Sequence, residues 1–276
     1  MLKKIMELGV MIDPAAAEIL KDERVSAAVF ERLKAMSDRP LVLSAGEITS
    51  LCSAARLVKD FTNPSRYSMQ DLIGLYTERY KTLQKMLLGK AELKNAVSIK
   101  NCRGAVAVIG AKRDGYIEDL SGRAKLITGA KLLDEDVVGV VGFASPEGIR
   151  AEKVLFPDVC LRSPATAPAK LVLGRDIPLS GSRLYDCCGV KILVHEADYG
   201  AIGNALGVAE KHAPLELLKR RHINNPPNDC LDEAPDIFLA VTKERFVQNY
   251  KGTTIIGCPK GCTLELDLMT RETKNA

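Results

Sequence analysis

Histidine is scarce in this chain: three in 276 residues, at positions 195, 212 and 222. No local signature of Ser-His-Asp or Cys-His catalysis surrounds any of them. Glycine-rich phosphate loops are absent as well, since neither a P-loop nor a dinucleotide fingerprint occurs. No apolar run approaches the ~20 residues that span a bilayer, so no membrane partner is expected. A large excess of one charge sign is also missing. The 39 basic and 35 acidic residues leave a formal net charge of +4, which permits a local basic patch without demanding a nucleic-acid partner. The start, Met-Leu-Lys-Lys-Ile-Met-Glu, carries an acid and no small-residue cleavage site, which argues against a secretory signal. Eight cysteines without such a signal imply free thiols in a reducing compartment. The expectation is a cytoplasmic protein with no cofactor.

What is present is ordinary for a folded chain: 46% hydrophobic and 27% charged residues, at a length that holds two or three cores. Residues 1–60 read as short helices that must pack together to be stable. Asp13-Pro14 supplies an N-cap followed by proline at the first helical position. Ser26 is the expected cap of a helix over 27–36. Ser44 and Glu47 form a capping box for a helix running to about Lys59. After a turn-rich connector, Ser68 and Asp71 open a longer helix ending near Gly89. Its Leu72, Leu75, Tyr76, Tyr80, Leu83 and Leu87 recur at spacings of three and four. Arg79, Lys81 and Lys85 then read as its solvated face.

From Val97 the pattern changes to short apolar runs separated by turn residues, the signature of a small barrel. Expected strands include 124–127 and a hairpin, 137–143 with 149–155, joined by a type I turn at Ser145-Pro146-Glu147-Gly148. Beyond the linker-like Ser163-Pro-Ala-Thr-Ala-Pro, a buried strand is expected at 190–195 and a basic helix at 214–222. Further strands are expected at 237–241, 253–256 and 264–268.

Several segments resemble, in collinear order, the small subunit of archaeal D-family DNA polymerases, a relative of the accessory B-subunits of eukaryotic replicative polymerases. They are Met6-Glu-Leu-Gly-Val-Met-Ile-Asp-Pro-Ala, Tyr76-Thr-Glu-Arg-Tyr-Lys-Thr-Leu, the β unit at 106–159 ending in Phe-Pro-Asp-Val, Leu217-Leu-Lys-Arg-Arg-His, Pro235-Asp-Ile-Phe and Tyr250-Lys-Gly-Thr. The resemblance implies a multidomain α + β chain. Residues 1–60 would be a helical domain and 61–96 a connector with the long helix. Residues 97–158 would be an oligonucleotide-binding (OB) barrel, and 159–276 a truncated remnant of a calcineurin-like phosphoesterase α/β domain.

In that family the phosphoesterase is a 3′–5′ exonuclease whose two metals need clustered Asp, His and Asn ligands. The family supplies them as Asp-x-His, Gly-Asp-x-x-Asp and Gly-Asn-His-Asp, followed by an isolated His and Gly-His-x-His. The first three motifs do not occur here. Residues 158–190, 33 in all, leave room for about one βαβ unit of roughly 30 residues. His195 falls where the family has its isolated metal-binding His, as a vestigial ligand, and Leu-Ala-Val-Thr-Lys stands where Gly-His-x-His should come. The implied function is therefore a noncatalytic accessory subunit. It would have no metal or catalytic residues of its own, its partner would be the large catalytic subunit, and DNA would be met within that complex. Lys112 and Arg113 at a strand end, and Arg220 and Arg221 in the densest basic cluster, are the nucleic-acid candidates. Few aromatics, Tyr116 and Phe143, are available in the barrel for base stacking. Cys258-Pro-Lys-Gly-Cys262 and Cys187-Cys188 invite a zinc reading, but the adjacent pair has poor ligand geometry and free thiols are expected. Three other readings stay open. One is an active exonuclease using other acids, such as Asp158, Asp176, Asp198 or Asp236. Another is a free-standing OB protein gripping single strands through Lys112 and Arg113. The third is a decaying gene copy.

Overall fold

A computed structural model describes residues 1–53 and 55–275. Within them the chain separates into two compact units. The first takes 1–60, 162–197 and 235–276, and the second takes 61–161 and 198–234. Among the described residues no helix is long and apolar enough to cross a membrane.

In the first unit, local capping chemistry sets the early helices. Asp13 accepts from the Ala16 amide at 2.6 Å and starts the helix Pro14–Ile19. The next helix is Glu23–Ala35, capped by Asp22, which accepts from the Arg24 and Val25 amides. It begins one turn before the Ser26 cap expected from sequence, because the Asp22 carboxylate is the stronger acceptor. Ser26 lies inside the helix, donating to the Glu23 carbonyl. Ser44 and Glu47 make the expected box, but the helix covers Ala45–Ser53 and does not run to Lys59. Ala54 lies outside the described residues. Beyond it, Arg56–Asp60 is an edge strand paired with Ser182–Cys187, so tertiary pairing overrides the helical reading.

That edge belongs to a six-stranded sheet. Its order is Phe246–Tyr250, Thr253–Pro259, Ile237–Thr242, Val190–Glu196, Ser182–Cys187 and Arg56–Asp60. The middle strands, Val190–Glu196, Ile237–Thr242 and Thr253–Pro259, run parallel. They are the near-continuous apolar runs of a sheet covered on both faces. A smaller antiparallel sheet joins Thr273–Asn275, Leu264–Asp267 and Lys170–Leu173. Ile5, Val29, Leu33 and Ile48 from the helices share one core with Leu171, Ile192, Leu239 and Leu266 from the sheets.

The second unit is built on a closed five-stranded barrel. Its order is Gly104–Arg113, Tyr116–Glu118, Arg123–Ile127, Gly148–Leu155 and Val137–Ser145, the last returning to the first. Every neighbouring pair is antiparallel except Arg123–Ile127 with Gly148–Leu155, where Leu126 faces Ile149 and the barrel closes. Gly148 is required at that seam. Its φ is +133°, and a Cβ there would come within 2.4 Å of the Lys125 carbonyl oxygen. Val108, Ile117, Val138, Val140 and Ile149 fill the interior. The helix Met69–Leu88, opened by the reciprocal Ser68–Asp71 box, packs Tyr80, Leu83 and Leu87 on Ile109 and Val137 outside it. Helices Tyr199–Leu206 and Ala213–Arg220 complete the unit.

Candidate functional site

The second unit concentrates its charge in an internal belt. Arg79, expected on a solvated face, is buried. Its Nε donates to Asp229 at 2.6 Å and its Nη1 to the Glu135 carbonyl at 2.8 Å. Lys81 and Lys85 are exposed, as read. The helix period places 79 beside 80 and 83, so a partner distant in sequence draws the arginine inward. His222 continues the belt. Its Nδ1 accepts from the Asn224 amide at 3.1 Å, so the ring proton sits on Nε2, which donates to Asp136 at 2.7 Å. The other Asp136 oxygen accepts from Leu133 N and from Arg220 Nε. Arg220 in turn donates to Glu216 at 2.6 Å and to the Lys131 carbonyl at 3.1 Å, with its guanidinium 4.3 Å over the Phe156 ring. Burial raises Glu216, but hydrogen bonds from Lys219 and Arg220 outweigh it and hold the carboxyl below its ordinary value. Arg79, Arg220 and Lys219 thus answer Asp229, Asp136 and Glu216.

Two of the four cations singled out from sequence therefore face inward. Arg220 is 3% exposed. Arg221 is also buried, takes the left-handed position that ends its helix, and donates to the Asp232 carbonyl at 2.6 Å. The Leu217-Leu-Lys-Arg-Arg-His segment is thereby the element that ties 213–230 to the barrel loop at 131–136. Lys112 and Arg113 sit at the end of the first barrel strand, before the Asp114-Gly115 turn with φ +47° and +80°. Lys112 is paired with Asp134. Arg113 makes a fork on Glu135 at 2.7 and 3.0 Å, and lies 5.0 Å over Tyr76. The Glu135 hydrogen bond raises Arg113 further above its already high value.

Beside Arg113 lies an open groove of about 520 Å³ between the first half of the long helix and the barrel, lined among others by Leu72, Tyr76, Val137 and Glu118. Met69, Ile73 and Leu120 stand at its edge, 73%, 61% and 70% exposed. The apolar stripe is well buried only in the second half of the helix; Leu72, Leu75 and Tyr76 are half-buried.

In the first unit His195 is buried in its strand, its ring 6.1 Å from that of Phe238. Among the described residues no three His, Cys, Asp or Glu side chains gather as a metal site. The acids weighed as unrecognised ligands have local duties. Asp176 accepts from Val172 N, Asp198 caps the helix Tyr199–Leu206, Asp158 accepts from Val159 N, and Asp236 accepts from Lys191 N and Ala165 N. All eight cysteines are free thiols. Cys52, unremarked in the sequence, joins the adjacent pair: Cys187 donates to its carbonyl, and a hydrogen bond with Cys188 together with burial pushes its thiol up. Burial takes Cys258, hydrogen-bonded to Cys262, up to about 12.

Two of the quoted segments meet here. The Pro235 carbonyl accepts from Thr253 Oγ1 and from Arg162 Nη2, both at 2.7 Å, and Arg162 also pairs with Asp236 at 3.2 Å. Gly252 packs on the Arg162 backbone.

No family model matches the chain. The DNA polymerase II small subunit of Archaeoglobus fulgidus is 24% identical to it, over 57% of this chain and 42% of that protein. The chain is a distant relative of that subunit. It spans less than half of the curated relative's length in the match.

Proposed function

We propose that this chain is a noncatalytic accessory subunit of a D-family DNA polymerase, one that docks the large catalytic subunit and helps position DNA within that complex. The similarity to an archaeal polymerase small subunit carries the reading. The closed five-stranded barrel supports it, because oligonucleotide-binding domains are five-stranded barrels and accessory subunits keep such domains for docking. On this reading 97–158 is the OB-type barrel, 61–96 its connector and long helix, and 1–60 the helical domain. The region 159–276 descends from a phosphoesterase, with His195 a vestigial ligand on the third of its strands. Docking asks for exposed apolar surface with shape, and the groove edged by Met69, Ile73 and Leu120 offers it. Glu118, Asp119 and Glu135 outnumber Arg79 and Arg113 along its wall, so the large-subunit segment that fills it should be apolar with basic flanks. Lys112 and Arg113, next to the groove, are the cations we assign to DNA at the rim of the complex.

The test is co-purification with the large subunit of the same genome, followed by a 3′–5′ exonuclease assay with Mn²⁺. A stable complex whose nuclease does not depend on this chain is the expected result. Failure to associate would overturn the docking role. Chelator-sensitive nuclease that tracks this chain would overturn the noncatalytic one.

A further inference from the structure

The two aromatics that the barrel offers for stacking both end up on its outer surface, Tyr116 38% and Phe143 53% exposed. Strand alternation fixes what stands between them. Ile117, Ala124, Leu126, Ala144 and Ile149 pack in the barrel core, so their neighbours Tyr116, Arg123, Lys125, Phe143 and Arg150 point outward. The register then sets these side by side. Tyr116 lies opposite Lys125, Ile127 opposite Arg150, and Arg150 opposite Phe143. Lys125 and Ile127 are same-face neighbours on one strand. A continuous band therefore crosses four strands, Tyr116–Glu118, Arg123–Ile127, Gly148–Leu155 and Val137–Ser145. It has an aromatic ring on each end strand and cations on the two between. Three strand spacings put its ends roughly 14 Å apart.

The cations of this band differ from the others of the unit. Arg79, Lys112, Arg113 and Arg220 each hold a carboxylate. Arg123, Lys125 and Arg150 are exposed, and among the described residues none of them has an ion-pair partner. Arg123 stands 5.1 Å over the Tyr116 ring, a placement that leaves the N–H groups at the edge of its guanidinium plane for an acceptor. The acids near by are few. Glu118 pairs with Arg113 at 3.7 Å, while Glu147 in the turn and Glu152 on the strand lie on either side of Arg150. The band is thus a narrow positive track rather than a broad basic face.

We propose that this band binds a single strand of nucleic acid, with bases stacked on Tyr116 and Phe143 and the phosphates carried by Arg123, Lys125 and Arg150. Aromatic side chains stack on any base whose face is open, and a duplex keeps those faces covered. A narrow track of cations likewise suits one phosphate chain rather than two. The strand is DNA or RNA, and the two are separable by experiment. The inference goes beyond the polymerase reading, which assigns Lys112 and Arg113 to DNA inside the complex, because it needs no large subunit. Failure to associate with that subunit would leave it standing, and failure to bind a single strand would leave the docking role standing.

The measurement is fluorescence anisotropy of a labelled oligothymidylate of about 12 nucleotides, within the site size of one such barrel, titrated with the full chain at several salt concentrations. The native chain binds it, more weakly as salt rises. Phe143→Ala and Tyr116→Ala each weaken binding by about 5- to 150-fold, the worth of one stacked base. Lys125→Gln and Arg150→Gln each reduce the salt slope by about 0.7. Lys81→Gln, which removes the same charge from the exposed face of the long helix, changes neither quantity. All the substituted side chains are exposed, so each variant keeps the native unfolding midpoint. An oligouridylate of equal length forms the second arm; binding of either oligomer supports the site, and the tighter one names the source, since only RNA carries the 2′-hydroxyl. No binding of either oligomer at low salt overturns the site, as does binding that the two alanine variants and Arg150→Gln all leave intact. A duplex that competes as well as the single strand overturns the choice of ligand.

Discussion

Asp136 holds His222 and Arg220 at once, on separate oxygens, with no solvent to replace either bond. Removing one member of a buried ionic set leaves its partners uncompensated, so Asp136→Ala should cost about 3–5 kcal/mol in urea unfolding. A loss under about 1 kcal/mol would mean the belt behaves like surface pairs. Glu216 gives the belt a pH dependence. Its carboxyl is held below the ordinary value in the folded chain, so its contribution is full above the unfolded carboxylate value and is lost as pH falls through the depressed one. The stability gap between native chain and Glu216→Gln should therefore be widest near neutrality and narrow in acid, read by unfolding series across pH. Apart from the helix-local pairs of Glu216 with Lys219 and Arg220, these pairings were not legible in the sequence. Arg79 and Asp229 are 150 residues apart, and spacing along a helix reports which face a residue shares but not what waits opposite it.

Elements were more readable, because their signals are local. The caps at Asp13, Ser44 and Ser68 lie where the sequence places them, each fixed by a side chain reaching no further than three residues. The strands at 237–242 and 253–259 follow from apolar runs too short for helices. Errors came where pairing decides: Arg56–Asp60 is a strand only because Ser182–Cys187 lies beside it. The strands Lys170–Leu173 and Phe246–Tyr250 and the helix Tyr199–Leu206 gave no clear period. Barrel closure supplies the test at this scale. Gly148→Ala adds a Cβ against the Lys125 carbonyl at a positive φ, and should cost about 2–4 kcal/mol. Ser68→Ala removes one cap and should cost about 1 kcal/mol. If the two variants unfold alike, the seam is not under the constraint described.

At the scale of the whole chain, the quoted segments fall into two roles. Leu217-Leu-Lys-Arg-Arg-His and Pro235-Asp-Ile-Phe with Tyr250-Lys-Gly-Thr turn out to be joints inside their own units. The exposed apolar edge at Met69, Ile73 and Leu120 forms no part of those joints, and an amphipathic period alone did not reveal that half of its stripe is left uncovered. Ile73→Asp should therefore weaken large-subunit binding at least tenfold while leaving the unfolding midpoint of the isolated chain nearly unchanged, since the side chain is already exposed. The most direct test of the accessory-subunit account is light scattering on this chain mixed with the D-family large subunit of the same genome. The account predicts one species whose mass is that of the large subunit plus 30.0 kDa; two separate species at every concentration would contradict it.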